Sequence, residues 1–256
     1  ALLVQKIQRQ VVRARAREGK ERKPFPSGTE AVQFACEKPL YARHVYEPVA
    51  SCSPADTGCG RWLRESLATR DEVDAVRSFS EGALLGLYHS GPQTALALGN
   101  DGFARLQSGA ALIQDLMRRT RRTLAQSLNA NLFFSGAMVV RLQVPQAEGD
   151  MQKSANNTDA FGAHVDKANV ASYDWSALLY FSSAGEDFEG GELTFHDAED
   201  DIYITPRRGL LTFFSSGLEN VHKVAPMAWG QRLVLSMWFT CSERHAHPEL
   251  LFLAAD

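Results

Sequence analysis

Arg232-Leu233-Val234-Leu235-Ser236-Met237-Trp238-Phe239-Thr240 is a run without glycine or proline, and apolar residues fill most of it. Side chains of a β-strand point alternately to opposite faces, so Arg232, Val234, Ser236 and Trp238 share one face. Similar short β-type runs precede it at residues 137–144, 175–181, 192–195, 202–205 and 210–214. So many short strands without intervening helices predict a sandwich or jelly roll in the second half of the chain.

Helical periodicity characterises the preceding part of the chain. Thr69-Arg70-Asp71-Glu72 has the pattern of a capping box, and apolar residues recur at helical spacing from Val73 to Ala83. A second helix is predicted by the apolar face Phe103, Leu106, Ala110, Ile113, Leu116 and Met117. We therefore expect one mostly β domain with flanking helices over residues 31–256. Its helical support covers about 61–130 and its β-core about 131–245.

The N-terminal segment has a charge of opposite sign to the rest of the chain. Residues 1–23 hold eight Lys and Arg against two Glu, a net of +6, and the whole chain has a net charge of −3, so the remainder carries −9. We expect residues 1–30 to form a basic helix and a linker, Lys23-Pro24-Phe25-Pro26-Ser27-Gly28, because proline and glycine end helices. The acidic body argues against a nucleic-acid partner, and the basic segment is either a solvated tail or a contact to phosphates or anionic lipid.

Cysteine content favours an oxidising compartment. The four cysteines, Cys36, Cys52, Cys59 and Cys241, allow three pairings, and Asn156-Asn157-Thr158 is a glycosylation sequon. Disulfide bonds and the lumen of the secretory pathway, in the endoplasmic reticulum or Golgi, are the corresponding expectations. No apolar run reaches the ~18 residues of a membrane span, although an anchor ahead of residue 1 is compatible with the sequence.

His164-Val165-Asp166 places an imidazole and a carboxylate two positions apart. On an extended strand both point to one face, where they can bind the same ion. A lone pair of this kind is more often a surface contact than a metal site, so the third ligand matters. His222 is the best candidate, because it precedes the last strand. Two His and one carboxylate leave open coordination positions that suit Fe(II) better than zinc.

Arg232 indicates which co-substrate the metal site uses. An arginine that points into a barrel is costly unless a carboxylate meets it, and its planar fork matches the distal carboxylate of 2-oxoglutarate. The alternative is a structural ion pair with an acidic neighbour.

Several motifs in the β-half resemble one family. They are His164-Val165-Asp166, Ser176 to Phe181, Asp187 to Leu193, Ser215 to His222 and Gly230-Gln231-Arg232. Their order and spacing resemble the prolyl and lysyl hydroxylase branch of the 2-oxoglutarate and iron(II)-dependent dioxygenases, especially collagen prolyl 3-hydroxylase catalytic domains, over roughly residues 132–245. A resemblance to a related group of membrane-anchored animal oxygenase-domain proteins includes Cys52, Cys59-Gly60-Arg61 and Phe239-Thr240-Cys241, and extends it to about residue 36.

The resemblance implies a double-stranded β-helix that holds Fe(II) by His164, Asp166 and His222. It also implies 2-oxoglutarate and O₂ as co-substrates, ascorbate as a supporting reductant, and hydroxylation of a prolyl or lysyl side chain in a protein or peptide.

Further roles are expected around Arg232. Tyr180 and Ser236 are the expected hydrogen-bond donors to the co-substrate carboxylate. Leu178 and Tyr180 share a strand face, so both line the pocket or both pack outward. Leu193 is expected to line the pocket and Trp238 to pack beneath the iron ligands.

Other polar residues near the expected mouth receive no role. Lys167, Asp174 and Asn220 are predicted to be solvated. Two rival functions stay open at this point. One is a non-catalytic β-helix module that binds protein or ligand, and the other is a metal enzyme of similar fold without an oxo-acid.

Overall fold

A computed structural model describes residues 12–13, 16, 19–34, 59–87, 89–90, 93–144 and 162–254. The part of the first half that is described contains five short strands and three α-helices. The strands are β1 (Arg22–Pro24), β2 (Ala31–Phe34), β3 (Cys59–Arg64), β4 (His89–Ser90) and β5 (Gln93–Ala97), and the helices are α1 (Arg70–Leu84), α2 (Asn100–Leu106) and α3 (Ala110–Leu128).

The second half consists mainly of strands. These are β6 (Phe133–Val144), β7 (Trp175–Tyr180), β8 (Phe188–Gly190), β9 (Leu193–His196), β10 (Asp201–Ile204), β11 (Leu211–Ser215), β12 (His222–Val224) and β13 (Met227–Thr240). A four-residue helix, α4 (Asp166–Asn169), precedes β7, and 3-10 turns occupy Leu218–Asn220, Glu243–His245 and Pro248–Leu253.

Two sheets face each other within the described residues. The four-stranded sheet has the order β1-β10-β9-β12, and the nine-stranded sheet runs β2-β3-β11-β7-β13-β6-β5-β4, with β8 paired to one end of β13. An isolated antiparallel bridge between His164 and His222 continues the smaller sheet beyond β12. This arrangement agrees with the predicted jelly roll and with the double-stranded β-helix that the resemblance implies.

The nine-stranded sheet separates two cores. Its outer face packs against α1, α2 and α3, and Leu233, Leu235 and Met237 belong to that larger core. Its inner face meets the smaller sheet, and Val234 belongs to the core between the sheets. The predicted alternation along β13 is therefore observed.

The helices follow the sequence pattern with one difference. Thr69 and Glu72 form the predicted capping box, with Glu72 N donating to Thr69 Oγ1 at 3.3 Å and Thr69 N to Glu72 Oε2 at 2.8 Å. The predicted second helix is divided into α2 and α3. Gln107, at φ +52°, breaks it, and Gly109 packs so closely on Phe79 that a Cβ atom would lie 2.5 Å from the ring.

The described end of the N-terminal segment, residues 22–25, differs from the predicted helix and linker. Arg22–Pro24 is a strand that pairs in parallel with β10, and Phe25 is buried in the core between the sheets. Prolines do not prevent this, because β1 is an edge strand, where a missing N–H costs little. Residues 22–25 thus pack as part of the domain that the sequence led us to begin at residue 31.

Several predicted features fall on residues that the structure does not describe. Cys36, Cys52, the sequon at Asn156 and most of the basic segment are among them. Neither Cys59 nor Cys241 is a free thiol. Because Cys36 and Cys52 are not described, the pairing of the four cysteines stays a prediction. No helix among the described residues has the length and hydropathy of a membrane span.

Candidate metal and co-substrate site

The fold brings His164, Asp166 and His222 together at one end of the space between the sheets. The ligand atoms of the three side chains all lie within 4.8 Å of one another. Asp166 Oδ1 is 3.4 Å from His164 Nε2, and Asp166 Oδ2 is 3.9 Å from His222 Nε2. Val165 is extended, and α4 begins at Asp166, so the chain turns away immediately after the second ligand. The geometry suits a single divalent cation bound on one side by two imidazoles and a carboxylate.

Backbone carbonyls orient both imidazoles. His164 Nδ1 donates to Gly162 O at 2.8 Å, and His222 Nδ1 donates to Asn220 O at 2.9 Å. Because a carbonyl can only accept, the proton resides on Nδ1 in both rings, and Nε2 has its lone pair available for a metal. These contacts to carbonyls are typical of metal-ligating histidines.

Ionisation also favours a metal. Burial alone would raise the pKa of Asp166, but the charges and hydrogen bonds of His222, His164 and Ser176 hold it far below its usual range. Burial lowers the pKa of His222 to about 4. Burial opposes charge on His164 as well, yet the hydrogen bond and charge of Asp166 raise the pKa of His164 above its ordinary value. At neutral pH Asp166 is therefore ionised and His222 is neutral.

A polar network that the sequence did not reveal holds the carboxylate ligand. Ser176 Oγ donates to Asp166 Oδ2 at 2.6 Å and lies 2.7 Å from Ser216 Oγ. Behind them, Lys167 Nζ donates to Asp174 Oδ1 at 2.5 Å.

The prediction that Lys167, Asp174 and Asn220 are solvated is wrong. Lys167 and Asn220 are buried, and the Asp174 side chain is only 13% exposed. Asn220 binds Arg61 in β3 and Asp174 binds Thr240 in β13, which short-range spacing cannot indicate, whereas Lys167 binds Asp174, seven positions later.

Arg232 and Tyr180 lie deeper between the sheets. Arg232 is 2% exposed, and its guanidinium carbon is 5.1 Å from the centroid of the Tyr180 ring. Within the described residues, Nε and Nη2 of Arg232 and the Tyr180 hydroxyl form no hydrogen bond of normal geometry, although the guanidinium and the hydroxyl attract each other. Burial lowers the pKa of Arg232 and raises that of Tyr180. Partnerless buried donors are rare because each costs free energy, so this pair fits an incoming carboxylate.

The inner faces of β7, β9 and β13 supply the remaining predicted pocket residues. Leu178, Tyr180 and Leu193 all belong to the core between the sheets. Of the two alternatives for β7, the inward one is observed. Ser236 is 7% exposed and lies opposite Leu178 in the β7–β13 register.

Trp238 occupies a different place from the one predicted. Its ring is only partly buried and stacks on Tyr173, with centroids 4.9 Å apart and planes 8° from parallel. Trp238 is opposite Ser176 in the β-ladder, and Ser176 binds the candidate ligand Asp166. The stacked pair, called the aromatic wall below, therefore lies near the candidate ligands, and Trp238 is not the buried core residue that the sequence predicted.

A separate cavity of about 610 Å³ opens between the β1–β2 loop and the end of β10. Phe25, Leu63, Tyr203 and Thr205 are among its lining residues, and neither the three candidate ligands nor Arg232 contributes to it. The cavity lies next to Ile204, at one end of the β9–β10 pair. His196 is at the other end of that pair, close to His222. This cavity is therefore separate from the candidate site.

Comparisons with known proteins agree with this geometry. The family model of the 2OG-Fe(II) oxygenase superfamily matches residues 151–240. The human 2-oxoglutarate and iron-dependent oxygenase domain-containing protein 3 is 30% identical over 234 residues, which cover 84% of this chain and 71% of that protein. Its Xenopus tropicalis counterpart is 30% identical, and the match covers 77% of this chain and about two thirds (67%) of that protein. Mouse prolyl 3-hydroxylase 1 is 29% identical over 59% of this chain and 22% of its own length.

Solved structures share the fold. A prolyl-4-hydroxylase from Pseudomonas putida superposes with a TM-score of 0.52 at 19% identity, covering 77% of this chain and all of that one. A viral collagen prolyl hydroxylase from Paramecium bursaria Chlorella virus-1 gives a TM-score of 0.51 at 15% identity, with 71% and 96% coverage. With the match to the oxygenase-domain proteins, these findings show that the chain belongs to the 2OG-Fe(II) oxygenase superfamily, whose members use Fe(II), 2-oxoglutarate and O₂.

Proposed function

We propose that this protein is a 2-oxoglutarate- and Fe(II)-dependent dioxygenase that hydroxylates a prolyl or lysyl side chain of a protein or peptide. One observation carries the proposal. A His-Asp-His cluster and a buried arginine, which has no carboxylate partner among the described residues, face the same space between two sheets. A metal site alone would serve many chemistries, whereas the arginine selects an anionic co-substrate.

The roles of the residues follow from their positions. His164, Asp166 and His222 would hold Fe(II), and Arg232 would bind the distal carboxylate of 2-oxoglutarate with the Tyr180 hydroxyl as a second donor. When bound, the iron with 2-oxoglutarate and O₂ supplies the oxidising chemistry.

The protein supplies binding, orientation and exclusion of water. Leu178 and Leu193 line an apolar space that keeps bulk water from the reacting atoms, and Ser236 is a further donor candidate on the inner face.

The substrate proposal rests on the aromatic wall. The stacked rings of Tyr173 and Trp238 lie near the proposed metal ligands, because Trp238 is opposite Ser176. A pyrrolidine ring is apolar and packs well on such a face, and a lysyl ammonium would be attracted to it by cation–π interaction. Relatives named prolyl 3-hydroxylase 1 and 2 favour the prolyl side chain.

Two further proposals concern the environment of the enzyme. Because neither described cysteine is a free thiol, we propose that the four cysteines form disulfides and that the protein works in the oxidising lumen of the secretory pathway. Ascorbate is the proposed reductant that sustains turnover there. An assay of 2-oxoglutarate turnover with and without ascorbate tests this part separately.

The test of the function compares wild-type protein with His222→Ala. Each is incubated with Fe(II), 2-oxoglutarate, ascorbate and a proline- and lysine-containing peptide library, and succinate and peptide masses are measured. We expect wild-type protein to form succinate and peptides heavier by one oxygen atom, and His222→Ala to form neither. His245→Ala removes an exposed histidine outside the cluster and should behave as wild type.

If wild-type protein binds neither metal nor 2-oxoglutarate, the non-catalytic module replaces the enzyme proposal. If the added oxygen is found on neither proline nor lysine, the substrate proposal is wrong and the reaction class stands.

A further inference from the structure

Strand β3 brings a buried cation, Arg61, close to the proposed metal ligands. Arg61 is 2% exposed, and the chemistry described above does not use it. We propose that Arg61 is a positioning residue that holds the metal ligand His222 in place through Asn220. This inference rests on the proposed metal site and adds to it a residue far from the metal-binding motifs in sequence.

All parts of the Arg61 guanidinium have contacts. Nε donates to Asn220 Oδ1 at 2.7 Å, and Nη1 and Nη2 donate to the two carboxylate oxygens of Asp197 at 2.8 and 2.5 Å. The guanidinium carbon also lies 4.0 Å from the centroid of the Phe195 ring. Arg61 thereby connects the β9–β10 turn with the loop that leads into β12.

Asn220 transmits this connection to the ligand. It is fully buried, and its Nδ2 donates to the carbonyl and to the hydroxyl of Ser215 at 2.8 and 2.9 Å. Its side chain is therefore fixed from two sides, by Ser215 and by Arg61. Its backbone carbonyl accepts the Nδ1 proton of His222 at 2.9 Å, so the orientation of Asn220 determines where His222 Nε2 points.

Phe195 supports the same histidine from the other side of the guanidinium. Its ring centroid is 5.9 Å from that of His222, and the two residues are direct partners in the β9–β12 register. Movement of Arg61 would release both the hydrogen-bonded and the aromatic support of His222.

Stability alone gives a poor reason for a buried arginine here. Removal of a guanidinium from water is costly, and ion pairs often offset only part of that cost. The geometry uses a property that lysine lacks, because a planar fork can donate to a carboxylate and an amide at once. Arg61→Lys keeps the charge and loses this simultaneous contact.

The experiment measures Mn(II) affinity of the metal-free full chain by electron paramagnetic resonance, with unfolding followed by circular dichroism. We expect Arg61→Lys and Asn220→Ala each to weaken Mn(II) binding about 10- to 100-fold. The double variant should bind Mn(II) as tightly as whichever single variant binds it more weakly, because both changes remove the same connection. The visible spectrum of bound Co(II) should change in both variants, which a general loss of stability would not cause.

Arg208→Lys is the matched control. Arg208 also forms a two-point contact, through Nε and Nη2 to Asp187, away from the metal ligands. It should lose stability and keep wild-type Mn(II) affinity.

Wild-type affinity in both Arg61→Lys and Asn220→Ala would overturn the positioning role while leaving the metal site intact. Additive losses in the double variant would overturn the route through Asn220. Failure of wild-type protein to bind Mn(II) would instead overturn the proposed function. If Arg61→Lys does not fold, Asn220→Ala still decides the question, because it keeps the backbone carbonyl and removes only its anchoring.

Discussion

Ser176 donates a 2.6 Å hydrogen bond to Oδ2 of Asp166, the carboxylate of the candidate metal site. Both residues are buried, and Ser216 supports the serine hydroxyl at 2.7 Å. These hydrogen bonds thus fix the side-chain rotamer of Asp166 before a metal binds.

Ser176→Ala tests the importance of this contact. We expect Mn(II) affinity to fall about tenfold, because partners of metal ligands orient them. Isothermal titration calorimetry measures it. Ser182→Ala is the control, since Ser182 is equally buried but binds the backbone of Leu233. Equal affinity in Ser176→Ala and wild type would contradict the prediction.

Arg232→Ala tests the co-substrate site. We expect the KM for 2-oxoglutarate to rise about 10- to 100-fold, since a hydrogen bond to a charged group is worth about 1.5–3 kcal/mol. Mn(II) binding should be unchanged. Arg141→Ala is the control, because Arg141 pairs with Leu233 and so lies on the opposite face of the nine-stranded sheet. An unchanged KM in Arg232→Ala would place the carboxylate site elsewhere.

Metal binding should depend on pH through His164. Its pKa is raised above 6.5, so a metal must displace its proton at any pH below that raised value, whereas the pKa of His222 is about 4. We expect the Kd for Mn(II) to increase about tenfold for each pH unit below the pKa of His164, as one proton is released on binding. Titrations between weakly acidic and weakly basic pH measure this slope. A flat profile would show that His164 does not exchange its proton for the metal.

Gly230→Ala should destabilise the fold. Gly230 has φ +95°, and a Cβ atom would lie 2.2 Å from the carbonyl oxygen of Asp187. We expect a loss of about 1–3 kcal/mol in the free energy of unfolding, measured by urea denaturation. Gly82→Ala is the contrasting variant. Gly82 lies in α1, and a Cβ atom added there would meet nothing within 4 Å. Alanine there should stabilise the protein by up to about 1 kcal/mol. Similar values for both variants would contradict the steric argument.

Trp238→Ala tests the aromatic wall. We expect the KM for a peptide substrate to rise several-fold, since an aromatic contact is worth about 0.5–1.5 kcal/mol beyond its buried area. The KM for 2-oxoglutarate should stay the same. Trp229→Ala is the control, because Trp229 lies at the other end of β13 and donates to Glu189. A peptide KM that responds equally to both variants would argue against a substrate contact at Trp238.

Local spacing was sufficient to predict much of this protein. The two-residue period placed Arg232 and Val234 on the inner face of β13, and the capping box located the start of α1. His164 and Asp166 were recognisable because two ligands of one ion lie two positions apart. The position of His222 just before the last strand made it the third candidate. Apart from His222, these features depend on residues close in sequence, where periodicity reports directly on geometry.

Tertiary structure decided which residues surround the candidate ligands and hold them in place. Arg61 and Asn220 are separated by 159 positions, and no spacing rule connects β3 with the loop before β12. Lys167 and Asp174 look like solvated polar residues in the sequence, yet the fold buries them against each other. A buried polar group must find a hydrogen-bond partner, but only the packed sheets determine which distant residue provides it. The sequence by itself therefore determined the candidate ligands, and the tertiary structure determined what holds them in place.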